Sequence, residues 1–234
     1  MHILHTAGSS KSNSEHKVKK MTDSKKGWWA RLWARPNSKW LLGIPLGAFV
    51  ALVLGAAGLQ AMNFTLHQTS KTEFCYTCHS HELFIRPEYE ASSHFKNPTG
   101  VQAGCKDCHL PKMMDHWFAY VTKKIIVSKD IVPELMGKIS TEEKYEAYRP
   151  HGAEKVWRKM KENDSKYCRS CHSMENMDLE AQDRFASRRH STAEKRGQTC
   201  IDCHYGIVHK LPENATEILA KIDEEMKAEQ EESE

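Results

Sequence analysis

The chain is short of ordinary core material. Hydrophobic residues make up 39% of its 234 positions, and the mean hydropathy is −0.66. Part of that apolar share is locked in one segment, so the rest needs some other filling to form an interior. It also lacks a charge of one sign: 34 Lys/Arg stand against 31 Asp/Glu. The imbalance is at the ends. Residues 1–39 hold nine Lys/Arg and two Asp/Glu, and residues 213–234 hold nine acids and two lysines. A basic arm, a near-neutral middle and an acidic tail, with no aromatic-plus-basic motif, argue against nucleic acid as a partner. Finally, no cysteine is spare. All eight fall in four Cys-x-x-Cys-His pentapeptides, which argues against a disulfide framework.

One stretch lacks charge altogether. Between Lys39 and Lys71 there is no Asp, Glu, Lys or Arg. Leu41–Met62 is a mostly apolar run that, as a helix of about 33 Å, matches a hydrocarbon core of about 30 Å. A buried core helix and a cleaved signal peptide are the competing readings; the run is long for both, and no small-residue cleavage site stands out after it. We therefore expect an uncleaved transmembrane helix at 40–62. Lys25, Lys26, Arg31, Arg35 and Lys39 precede it, interleaved with Trp28, Trp29, Trp33 and Trp40. Positive charge marks the cytoplasmic side and Trp the interface, so residues 1–39 read as a basic cytoplasmic arm and everything after Met62 as periplasmic. Met21 reads as a more economical start than Met1. Gly43 and Gly47 form a GxxxG pattern, a candidate pairing face for a homodimer.

The pentapeptides are Cys75–His79, Cys105–His109, Cys168–His172 and Cys200–His204. One such motif arises by chance about 0.02 times in a chain of this composition, so four are not accidental. The spacing has a chemical reason. Cys75 and Cys78, Cys105 and Cys108, Cys168 and Cys171, and Cys200 and Cys203 can each reach two vinyl groups of a haem as thioethers. His79, His109, His172 and His204 then offer an imidazole to the iron. Zinc, the rival for paired Cys-x-x-Cys units, does not require a histidine after every pair. Four covalently bound haem c groups are expected, and their macrocycles supply the missing core.

The motifs repeat. Starts at 75 and 105 are 30 apart, and those at 168 and 200 are 32 apart. His94 and His190 precede the second motif of each pair, and His116 and His209 follow it, which nominates these four as distal iron ligands. Each also has an ordinary reading as a surface or hydrogen-bonded histidine. His67 and His151 have no repeat partner and are expected not to ligate. The fold class is thus mainly α: a single N-terminal transmembrane helix plus a haem-cored multihaem cytochrome c domain at 63–212, built as two dihaem modules, 63–139 and 140–212. Within it, helices are expected near Trp117–Lys138 and Ala153–Glu162. An acidic tail at 213–234 follows. From Ala215 it carries Ile218, Leu219, Ile222 and Met226 on one face of an amphipathic helix, with its acids read as a solvated face.

Several stretches together resemble the NapC/NirT family of membrane-anchored tetrahaem c-type cytochromes, related to NrfH-type proteins, and most closely its NapC-like branch. They are TEFCYTCHS around the first motif, CKDCHLP at 105–111, KKIIVSKD at 123–130, MKENDSKYCRSCH at 160–172 and TCIDCHYGIVHKLP at 199–212. The resemblance covers roughly residues 25–212. It implies a quinol dehydrogenase of the bacterial inner membrane. Its donor is menaquinol or ubiquinol from the membrane quinol pool, and its acceptor is a periplasmic reductase or that reductase's cytochrome subunit, nitrate reductase-type foremost. It also implies a quinol site beside the first haem, whose Lys and Asp match Lys124 and Asp130; a solvated helix face of Lys/Asp pairs is the alternative. Two positions depart from the family. Where members often carry Met two residues after the first motif histidine, this chain has His81: either His81 ligates instead, which would lower the potential, or that haem is wired differently. Lys112 stands where NapC-like chains tend to have a histidine, with His116 a few residues on. A passive relay without its own quinol site is the competing function.

Overall fold

The computed structural model describes residues 27–36, 43–114 and 116–233. The chain divides into two compact units, Met1–Thr65 and Leu66–Glu234. The described residues are helical, with no strand among them. Most of the basic arm, and Trp40 to Leu42 of the expected span, lie outside the described residues.

In the first unit a short helix, α1 (Trp28–Leu32), precedes the long α2 (Leu46–Gln68), whose last turn belongs to the second unit. Helix α2 starts directly after Pro45, which has no N–H to donate and is at home ahead of a first turn. It therefore begins later than Leu41 and runs beyond Met62 to Gln68. It is apolar all round, and none of its most hydrophobic window is buried. Leu52, Val53 and Leu54 are each about two-thirds exposed, a surface suited to hydrocarbon. It is the one helix among the described residues long and apolar enough to cross a membrane. Gly43 lies ahead of α2 at φ +77°, so Gly43 and Gly47 do not share a helical face. A Cβ on Gly47 would come within 3.0 Å of the Trp33 ring, so this glycine makes room for Trp33.

The second unit strings short helices between its motifs. These are α3 (Thr72–Cys75), a π-helical turn His81–Ile85 continuing into α4 (Arg86–Ala91), α5 (Cys105–His109), α6 (Trp117–Ser128) and α7 (Ile131–Leu135). Then come α8 (Glu142–Glu162), α9 (Lys166–Arg169), α10 (Arg184–Ala193) and α11 (Ala215–Ser233). The helix expected over Trp117–Lys138 is broken at Lys129–Asp130. The helix expected from Ala153 begins earlier, at Glu142, where the Thr141 hydroxyl caps it by accepting from the Lys144 N–H at 3.3 Å. Glu142 and Glu143 in its first turn and Lys159 and Lys161 in its last complement the helix dipole.

A side-chain core forms where α11 lies along α8. Trp157, Ile201, Ala215, Ile218 and Ile222 are buried together, with Leu219 and Met226 packed against them. Two exposed acids of the tail also pair across the seam, Glu225 with Arg158 and Asp223 with Lys161, while Lys221 of the tail pairs with Glu154 of α8 at 2.8 Å. Exposed pairs of this kind contribute about 0.2–1 kcal/mol each, so the apolar seam dominates the docking.

Candidate functional site

Each motif is a short turn held by local hydrogen bonds. In the second and fourth motifs the Asp of Cys-x-Asp-Cys-His caps the turn. The Gly104 N–H donates to Asp107 Oδ2 at 2.8 Å, and the Thr199 N–H to Asp202 Oδ2 at 2.6 Å. In the first and third motifs a hydroxyl three residues ahead of the first cysteine reaches the next motif. Thr72 Oγ1 accepts from the Cys105 N–H at 3.4 Å, and buried Ser165 Oγ accepts from the Ile201 N–H at 3.1 Å. Asp164 and Ser165 both adopt positive φ to make that approach. Gly104 is tight against Thr72: a Cβ there would meet its hydroxyl at 2.7 Å. None of the eight cysteines is in a disulfide; Cys75 lies next to Cys105 and Cys168 next to Cys200.

Three motif histidines face a second histidine ring. His172 faces His94 with ring centroids 6.2 Å apart, His109 faces His209 at 6.3 Å, and His204 faces His190 at 5.9 Å. A metal–imidazole bond is about 2.0 Å, and a ring centre lies about 1.1 Å beyond its nitrogen. Two imidazoles on opposite sides of one ion therefore have centres about 6.2 Å apart. The spacing fits an iron between each pair. The chemistry of the donors agrees. Burial lowers the pKa of His94, and of His204 with help from neighbouring histidines; burial and then His209 take His109 down to about 4. Neutral imidazole is the ligating form.

Surrounding groups aim these rings. His190 Nδ1 meets Gln182 Oε1 at 2.6 Å, which leaves Nε2 for a metal. His94 sits in a turn tied by its own carbonyl, which accepts from the Ala103 N–H at 3.1 Å, and by Tyr89, whose hydroxyl donates to the Ala103 carbonyl. His209 lies beside a buried charge cluster. Arg149, 6% exposed, donates to Glu88 at 2.6 Å, to Glu146 at 2.9 Å and to the Lys210 carbonyl at 3.0 Å, while the Lys210 N–H donates to Glu88 at 3.0 Å. Glu88 Oε2 is 3.5 Å from His209 Nδ1. Burial pushes the Glu88 carboxyl up, but His209, Arg149 and the Lys210 N–H outweigh it and bring it to about 2.

The remaining nominated residues do not face a motif histidine ring among the described residues. His116 is exposed and meets Lys166 Nζ at 2.7 Å, not a motif histidine. His79 is exposed and has no facing histidine ring among the described residues. Next to it, buried Ser80 donates its N–H and hydroxyl to Glu134 of α7 at 3.0 and 2.5 Å. His81 is half-buried, with an unpartnered Nδ1, in the electrostatic neighbourhood of Glu134, Asp130 and His209. Lys124 Nζ donates to the Thr69 carbonyl and to Ser70 Oγ (2.9 Å) and lies over the Phe74 ring. Ser70 in turn bonds the Tyr120 hydroxyl. Burial lowers the pKa of Lys124. Asp130 stands elsewhere, half-exposed at the α6–α7 break and ion-paired with Lys155 at 2.6 Å. Lys123, not Lys124, feels its charge. Sequence reasoning passed over Glu88, Arg149 and Ser165, since a lone charge or hydroxyl carries no spacing signal.

Comparison with known proteins adds the family. Residues 36–214 match the model of the NapC/NirT cytochrome c family, N-terminal region. The chain belongs to the NapC/NirT cytochrome c family. It is 49% identical over 160 residues to the cytochrome c-type protein TorY of Haemophilus influenzae, covering 68% of this chain and 42% of that one. It is 44% identical over 158 residues to a putative tetraheme cytochrome-c type protein of Allochromatium vinosum, covering 68% and 84%. It is 40% identical over 195 residues to the cytochrome c-type protein NapC of Escherichia coli K12, covering 82% and 94%. The chain thus spans less than half the length of its TorY relatives. No solved structure matches it. As a NapC/NirT cytochrome it is a c-type electron-transfer protein, and membership in that family implies covalently bound haem c.

Proposed function

We propose that this cytochrome is a membrane-anchored tetrahaem quinol dehydrogenase. It takes electrons from membrane quinol and passes them to a periplasmic terminal reductase, nitrate reductase-type foremost. The observation that carries the haem-binding part is the set of three histidine pairs at 5.9–6.3 Å, each containing one motif histidine, and the four motifs give the number of haems. Cys75, Cys78, Cys105, Cys108, Cys168, Cys171, Cys200 and Cys203 are the attachment points; His79, His109, His172 and His204 are the proximal ligands. His94, His190 and His209 are the distal ligands of the third, fourth and second haems. His81, half-buried two residues beyond His79, is the candidate second ligand of the first. Helix α2 is the anchor, with the basic arm cytoplasmic and residues after it periplasmic. The parallel Thr72–Cys105 and Ser165–Ile201 contacts support a two-module reading.

Bound haem supplies the one-electron acceptors. The chain's own residues must take up the two protons that quinol releases. Lys124 is suited to accept one of them. Its amino group is half-buried, burial lowers its pKa and so favours the neutral amine that can take up a proton, and Ser70 and Thr69 hold it beside Phe74 and Cys75. Asp130, more exposed, would pass protons outward through the α6–α7 break.

The test mixes a reduced menaquinol analogue with purified holoprotein and follows haem reduction. Lys124→Ala is expected to slow it about 100-fold and Asp130→Asn less, the range typical of lost acid–base groups. Wild-type rates in both variants refute the quinol site. A chain that never accepts electrons from quinol is a relay instead.

A further inference from the structure

Helices α6 and α7 carry an apolar surface that the second unit leaves uncovered. On α6, Phe118 and Ile125 follow helical spacing and are 81% and 61% exposed, and Ile126 beside them is 41% exposed. On the short α7 and its end, Val132, Leu135 and Met136 are 52%, 82% and 62% exposed. The opposite face of α6 is the packed one. There Tyr120 is 3% exposed and Lys124 reaches inward to Thr69 and Ser70. Exposed apolar residues in such a contiguous stretch mark a contact surface.

We propose that the outward face of α6 and α7 is a second membrane contact, made with the periplasmic leaflet. The idea rests on reading Leu46–Gln68 as a span. What selects lipid is continuity with that span. Helix α6 is fastened to the residues that end it: the Tyr120 hydroxyl donates to the Leu66 carbonyl at 3.4 Å and bonds Ser70, and Lys124 bonds Thr69 and Ser70. An apolar stripe tied to the exit of a bilayer-spanning helix sits at interface depth, where a buried Tyr and long amphipathic side chains are at home. The charge agrees. Residues 117–138 carry four lysines against Asp130 and Glu134, and Lys129 and Lys138 are exposed, free to extend their ammonium groups toward phosphate while their stems lie along apolar surface.

Such a contact has a functional use. It would lay the helix carrying Lys124 against the layer in which a lipophilic donor is dissolved, and would fix the tilt of the periplasmic domain at two points.

The experiment uses the full-length holoprotein in vesicles of phosphatidylethanolamine and phosphatidylglycerol. p-Benzoylphenylalanine replaces Phe118, Ile125 or Leu135 in turn. Two further sites serve as references: Leu54 inside the anchor, and Phe185 on α10, which is 69% exposed. An unchanged haem spectrum checks that each variant is folded. After irradiation, mass spectrometry reads phospholipid adducts. Adducts at 118, 125 and 135, about tenfold above those at 185 and comparable to those at 54, support the contact. Adducts at 54 but not at the three test sites overturn it while leaving the anchor standing. Cross-links to protein at the three sites also overturn it and assign the face to a second copy or another chain. No adduct at 54 brings down the anchor reading, and the second contact with it.

Discussion

Arg149 is the residue whose removal the second unit should tolerate least. Its guanidinium is almost fully buried and joins Glu88, Glu146 and the backbone of Lys210. With Glu88 ionised far below neutral pH, Arg149→Met leaves a carboxylate in a poorly solvated place without its partner. Breaking such a pair costs about 3 kcal/mol, which denaturant titration of the holoprotein will read as a lowered midpoint. Arg149→Met combined with Glu88→Gln should recover much of the loss, because no orphan charge remains. If the double variant is as unstable as the single one, the Arg acts through its contact with the Lys210 carbonyl instead. At this scale the motif cysteines and histidines were legible in the sequence because their spacing is set by covalent chemistry. Arg149 and Glu88 were not, because they lie far apart in the chain and meet only after folding.

Among the elements, α11 shows what a hydrophobic pattern can and cannot tell. The stripe of Ile218, Leu219, Ile222 and Met226 announced an amphipathic helix, and an amphipathic helix is present. Its partner, Trp157 on α8 with Ile201 of the fourth motif, was invisible, since periodicity gives a face and not the surface opposite. Ile222 is fully buried there. Ile222→Ala should therefore cost about 3 kcal/mol, by lost transfer energy and a cavity, and lower the thermal midpoint of the far-UV signal. A cost near zero would mean the helix detaches in solution. The α6–α7 boundary tells the opposite story. Apolar residues continue through it, so the pattern read as one helix. Yet the backbone turns at Lys129–Asp130, where Asp130 pairs with Lys155 and Pro133 sits inside the following turn.

For the whole molecule, the repeat in the sequence marks two dihaem modules, and two of the three facing histidine pairs join one module to the other. His94, from the first half, faces His172 in the second; His209, from the second, faces His109 in the first. Of the three facing pairs among the described residues, His190 and His204 is the one that lies within a single half. Self-similarity along the chain reveals matched positions but not whether matched positions serve their own half or the other. His94→Ala should thus perturb the third haem and not those of its own motifs. The expected reading is one new high-spin signal by electron paramagnetic resonance, with four haem masses still attached. A variant that keeps its full low-spin signal would remove His94 from the ligand set. The interlocked pairs also bear on biogenesis. On the proposed topology, a chain exported from its N-terminal side presents His209 a hundred residues after His109. The iron held by the second motif would therefore acquire its sixth ligand only once that further stretch has crossed. Until that moment the half-finished protein would carry a haem open to small molecules and to unwanted electron leakage.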